Sequence, residues 1–214
     1  MQDGRVTVGR TLRTNWFLGV LVAFLIALPF IVAELTGSSP YGIERGSRII
    51  MRGESAFWMA LLIEVFALTV FVMSYNLMFG FTGVISFGHA LFFGLGGYTI
   101  GMLLQYTALD PNLALVLAVL LTLVLTGLSA LLIGLATLRL RGVYFAIFTL
   151  AVAEMVWIFV GRWAVTNGED GFAIDRLPAW IDPSSNRLTL YYIGLFLFVF
   201  TFLFIRRIVN SPTG

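Results

Sequence analysis

The stretch Leu113 to Leu138, LALVLAVLLTLVLTGLSALLIGLATL, runs for 26 residues without a charged side chain. An α-helix rises about 1.5 Å per residue and a bilayer's hydrocarbon core is about 30 Å thick, so roughly 20 apolar residues suffice to cross it. Further apolar runs lie on either side: Trp16 to Ala33, Ala56 to Phe79, Ala90 to Tyr106, Tyr144 to Val160 and Leu190 to Ile205. The chain is 59% hydrophobic and 11% charged, whereas a soluble domain carries about 25% charged residues. Too little polar surface is available to coat a water-soluble globule. The sequence therefore predicts an all-α, polytopic transmembrane helical bundle of about six spans, with residues 1–214 forming one membrane domain.

The third run is short and rich in glycine. With the residues before it, it predicts a broken or re-entrant segment near 80–90, which a membrane tolerates only where protein or a water-filled cavity satisfies the backbone. The first run follows a leader containing Arg5, Arg10 and Arg13 and is too long for the core of a secretory signal, so it reads as a retained anchor. Cytoplasmic loops accumulate Arg. With the N-terminus inside, the inner segments hold seven arginines (Arg5, Arg10, Arg13, Arg139, Arg141, Arg206, Arg207) against Asp3 alone. The outer segments hold six arginines against eight acids, which predicts a cytoplasmic N-terminus.

Small residues form stripes. Ala90, Gly94, Gly97 and Gly101 fall at offsets 0, 4, 7 and 11, one face of a helix, and Gly142, Ala146, Thr149 and Ala153 repeat those offsets. Gly127, Ala130 and Gly134 make a shorter version. Lipid supplies no hydrophobic drive for helix association, so these stripes are expected to serve close helix packing.

Chemistry-bearing residues are few. Cysteine is absent and His89 is the only histidine, so no thiolate or His-rich metal site is expected. No Walker, HExxH or nucleophile-elbow motif occurs, and the arginines form no basic stripe for nucleic acid. Neither an enzyme nor a bound cofactor is expected. Two carboxyls, Glu64 and Glu154, lie inside apolar runs. An ionised group there costs about 2.5 to 3.5 kcal/mol on the insertion scale, which the apolar neighbours of Glu64 offset. Each reads either as a polar tie between helices or as a group on a proton, ion or solute path. In NLMFGFTGVISFGHALFFGLGGY, Asn76 to Tyr98, polar groups and helix-weakening glycines coincide, which suits a helix break beside a cavity.

That segment closely resembles the signature of the membrane permease subunits of ATP-binding cassette importers for branched-chain amino acids. The matching positions are Asn76, Leu77, Gly80, Gly83, Ser86, Gly88, His89, Gly94, Gly96, Gly97 and Tyr98. LRLRGVYFAIFTLAVAE, Leu138 to Glu154, is similar to a block of the longer of the two subunits. Thr166-Asn167-Gly168-Glu169-Asp170-Gly171 is similar to its Thr-Gly-Gly-x-x-Gly outer loop, with Asn167 departing from the usual Gly. The resemblance covers about residues 56–213. It implies a cell-membrane permease working with a second permease subunit, two cytoplasmic ATPase subunits and an extracytoplasmic solute-binding protein. It further implies Asn76, Ser86, His89, Tyr98, Tyr144, Thr149 and Glu154 near the translocation path or its hinge. The family continues after an Asn-Ser-Pro-x-Gly turn into a segment that docks on the ATPase. By that resemblance a chain stopping at Asn210-Ser211-Pro212-Thr213-Gly214 is the N-terminal part of a longer domain. Similar permeases carry urea and short amides, and the alternatives outside the family are a proton- or ion-coupled secondary transporter or a purely structural membrane subunit.

Overall fold

The computed structural model describes residues 5–45, 48–137 and 139–211, without the side chains of 5–15 and 43–50. Asp3, Leu138 and residues 212–214 lie outside the described residues, as do the side chains of Arg5, Arg10, Arg13, Glu44, Arg45 and Arg48. Among the described residues six α-helices follow one another: α1 (Arg5–Thr36), α2 (Glu54–Asn76), α3 (His89–Tyr106), α4 (Pro111–Thr137), α5 (Val143–Arg162) and α6 (Arg187–Val209). Five helical segments among the described residues are long and apolar enough to cross a membrane, namely Trp16–Thr36, Glu54–Phe81, Pro111–Thr137, Val143–Arg162 and Arg187–Val209. The protein is a multi-pass helical membrane protein. At 18 residues α3 reaches only about 27 Å at 1.5 Å per residue, and His89, Gln105 and four glycines dilute its apolarity. One element was not expected from the sequence: β1 (Ile43–Arg45) and β2 (Arg48–Ile50) pair antiparallel between α1 and α2.

The chain forms two compact units. The first comprises residues 1–70 and 179–214, with α1, the hairpin, α2 as far as Val70, and α6. Its core is Met59, Phe66, Tyr191 and Leu195. Phe66 stacks on Phe198 with centroids 5.6 Å apart and lies 5.5 Å from the ring of Tyr191. Gly194 lies against it, and a Cβ there would stand in ordinary contact with Phe66 Cδ2 at 3.4 Å. Polar side chains tie the helices through backbone carbonyls. Pro29, inside α1, has no N–H to give the carbonyl of Leu25 four residues earlier. The hydroxyl of Tyr191 on α6 donates to that carbonyl at 2.6 Å, and Tyr192 donates to the carbonyl of Ile26 at 3.0 Å. Arg187 Nη1 donates to the Ala56 carbonyl at 3.1 Å, joining the start of α6 to the start of α2. Glu64 stands exposed on α2 among apolar side chains.

The second unit runs from Phe71 to Pro178. Here α2 gives way to a π-helical turn over Leu77–Phe81, a wider turn of the kind often found at functional sites. Gly83 ends it at φ +69, its N–H donating to the Phe79 carbonyl at 3.1 Å, so the chain leaves the helix where a left-handed residue costs glycine nothing. Residues 83–86 are in neither helix nor strand and α3 starts at His89, which is the break expected near 80–90. Asp110 caps α4 through Oδ1, accepting from Asn112 N at 2.9 Å, with Pro111 in the first helical position where no N–H is missed. α3 packs on both α4 and α5.

A candidate translocation groove along α5

The start of α3 approaches α5 at backbone distance. A Cβ on Gly88 would stand 2.5 Å from the carbonyl oxygen of Thr149, closer than real Cβ atoms come. Beside this contact, Ser74 donates to the Phe71 carbonyl at 2.7 Å, which uses its one proton. The 2.8 Å contact between Ser74 Oγ and His89 Nε2 is then a hydrogen bond donated by the imidazole. Phe71 and Tyr75 flank the ring at 5.2 and 5.6 Å, so His89 is held in one orientation at the helix break.

Around this contact α3, α4 and α5 leave a string of cavities of about 400, 240, 380 and 150 Å³. Neighbouring cavities share walls. Gly134, Thr137 and Phe145 line the first two, Leu91 lines the second and third, and Tyr98, Trp157 and Val160 line the last two. Their linings extend from Gly142 to Arg162, the length of α5. Twenty residues of helix rise about 30 Å, the thickness of a bilayer's hydrocarbon core.

The structure places the expected path residues unevenly along this groove. Ser86, His89 and Thr149 line the second cavity, and Tyr98 and Glu154 line the third. Tyr144, 75% exposed, and Asn76, also exposed, line none of the four. Asn76 instead lies over Gly80, where a Cβ would meet its Oδ1 at 2.6 Å. Trp157, Arg162 and Glu169 belong to the groove and were not singled out from the sequence. The signal for Trp157 was present, since it stands three residues after Glu154 on one helix face. A cavity of about 850 Å³ in the first unit, beside Leu18, Leu203, Arg206 and Arg207, includes Asn210 and Ser211 of the Asn-Ser-Pro-x-Gly turn and none of the expected path residues.

The stripes of small residues divide in the same way. Gly101 receives Phe172 and Ile174, whose atoms would lie 3.0 and 3.1 Å from a Cβ there. Ala146 is buried at 4% exposure, and Ala153 and Gly94 line the third cavity. At Gly94, Gly97, Gly127, Gly134 and Gly142 a Cβ would meet nothing within 4 Å among the described residues. Gly142 precedes α5 at φ +58, ψ −126, so a turn that other residues rarely adopt accounts for glycine there, not a place on the helix face.

The loop after α5 closes one end of the groove. Thr166 Oγ1 approaches the Val160 and Trp163 carbonyls at 2.6 and 2.7 Å, at the end of the helix. Asn167 sits at φ +60, ψ +24, and its side-chain amide donates to the Gly171 carbonyl at 2.9 Å. Asparagine is among the few non-glycine residues that enter this region readily. The sequence departure at Asn167 therefore keeps the backbone conformation that a glycine would supply.

Residues 57–214 match the family described as branched-chain amino acid transport system, permease component. The chain is 27% identical to the high-affinity branched-chain amino acid transport system permease protein LivM of Salmonella typhimurium, over 96% of this chain and 48% of that protein. It is 25% identical to the LivM protein of Escherichia coli over the same shares. The chain thus spans about half the length of the curated relatives it matches. No solved structure matches it.

Proposed function

The chain belongs to the permease-component family of branched-chain amino acid transport systems, and from that premise we propose that it forms part of a path carrying branched-chain amino acids across the cell membrane. The observation that supports this most is the groove, which runs the length of α5 and gathers Ser86, His89, Tyr98, Thr149 and Glu154 from separate stretches of sequence. Apolar walls with a few polar groups suit a small amphipathic solute. On this reading the partners are a second permease subunit, two cytoplasmic ATPase subunits that hydrolyse ATP, and an extracytoplasmic binding protein. The N-terminus is cytoplasmic. ATP and delivered solute favour different conformations of the assembly, and that difference in affinity drives alternating access. The close contact of Gly88 with Thr149 is the pivot against which the groove opens.

The test is Glu154→Gln in the full-length protein, assembled with its partners in proteoliposomes. ATP- and binding-protein-dependent leucine uptake is expected to fall about tenfold, or about 1.4 kcal/mol, with membrane abundance unchanged because Glu154 is exposed. Undiminished uptake would remove Glu154 from the path. Uptake driven by a proton gradient with neither ATP nor binding protein present would overturn the permease reading itself.

A further inference from the structure

At the loop end of the groove, Arg162 and Glu169 line the same cavity of about 150 Å³, together with Tyr98 and Trp157. They carry opposite charges, both are exposed, and neither has an ion-pair or hydrogen-bond partner among the described residues. The backbone sets where they stand. Gly168, at φ +62, comes so close to α5 that a Cβ there would lie 3.1 Å from the Gly161 carbonyl oxygen. This places Glu169 over the last turn of the helix, and a Cβ on Gly161 would lie 3.8 Å from its Cγ. Tyr98, Trp157 and Val160 then lead into the cavity of about 380 Å³, whose walls include Leu95, Leu150 and Val156. The two cavities together reach the roughly 300 to 1,000 Å³ of small-molecule sites, although the charged one alone does not.

The geometry points to a recognition site for a zwitterion with an apolar side chain. Arg162 receives the carboxylate, a planar anion that a guanidinium can bind through two parallel hydrogen bonds. Glu169 receives the ammonium, and the side chain lies toward Leu95 and Leu150. An uncharged amide would leave both charges without a counterpart, so this pair separates α-amino acids from urea-like solutes. The inference rests on the permease reading only in treating the groove as a solute path.

The full-length protein in detergent, without binding protein, is titrated with radiolabelled leucine in competition with leucinamide, which lacks the carboxylate, and 4-methylpentanoate, which lacks the ammonium. The wild type is expected to prefer leucine about tenfold over each. Arg162→Gln is expected to abolish the preference over leucinamide and keep that over 4-methylpentanoate, while Glu169→Gln does the reverse. Equal weakening toward all three ligands, or no discrimination by the wild type, overturns the site. ATP-dependent uptake is measured on the same variants reconstituted with their partner subunits and binding protein in proteoliposomes. Uptake without the charge pattern removes the site and leaves the permease reading, whereas the pattern without uptake keeps the site and removes that reading.

Discussion

Replacing Gly88 by alanine is expected to destabilise the protein by roughly 3 kcal/mol, at the upper end of overpacking costs, and to abolish uptake. The backbone is not the obstacle, because φ −86, ψ 5 is open to any residue. The obstacle is the carbonyl oxygen of Thr149, 2.5 Å from the added Cβ, with the carbonyl carbon at 3.1 Å and Cβ at 3.2 Å. A main-chain atom in the middle of α5 cannot rotate aside. Truncating the Thr149 side chain should therefore fail to rescue the variant. Gly94→Ala is the control: nothing lies within 4 Å of its Cβ, and removing glycine's backbone freedom favours the helix by about 0.5 to 1 kcal/mol. Thermal unfolding in detergent and membrane abundance measure both. A Gly88→Ala protein as stable as wild type would mean that α3 does not approach α5 as described, and the groove would go with it.

The second large effect is expected at Tyr191, which has no exposed surface. Tyr191→Phe keeps the ring against Phe66 but removes the hydroxyl that serves Leu25. A carbonyl left unsatisfied away from water costs about 1 to 3 kcal/mol. Tyr191→Ala also empties a core position and is expected to cost about 3 to 5 kcal/mol, as large aromatic truncations do. The origin of the first penalty is testable through Pro29. In a Pro29→Ala background residue 29 regains an N–H that can close the helical bond to Leu25, so the cost of Tyr191→Phe should shrink by about 1 kcal/mol or more in a double-mutant cycle. Additive effects would show that the tyrosine does not substitute for the bond that proline removes.

Much of this fold was legible in the sequence, and the reasons are specific. Long apolar runs located α2, α4, α5 and α6 to within a few residues, and the apolar part of α1 but not its start at Arg5, because a backbone in lipid has to satisfy its own hydrogen bonds and helices do so locally. The coincidence of Gly80, Gly83 and Gly88 with polar residues marked the helix break, since glycine is both a weak helix former and the residue that accepts φ +69. The hairpin at 43–50 was missed because each strand has only three residues, too few for an alternating pattern to register.

The candidate site was only partly legible. Motif resemblance singled out Tyr144 and Asn76 as readily as Thr149 and Tyr98, yet the first two line no part of the groove and the last two do. Helical periodicity put Gly94, Gly97 and Gly101 on one face but could not say what stands opposite. Among the described residues only Gly101 of these three meets neighbours, and they come from a loop some 70 residues further along the chain. Arg162 and Glu169 looked like ordinary loop charges until the turn at Asn167 and Gly168 brought one back over the other's helix.

The amino-acid sequence alone determined that this protein lives in a membrane, where its helices lie and where one of them breaks, because composition, period and glycine placement act through local hydrogen bonding and transfer from water. Which side chains share a cavity was decided by the tertiary structure. That depends on a few close backbone approaches, Gly88 on Thr149 and Gly168 on Gly161, between residues whose distance in space no local pattern encodes.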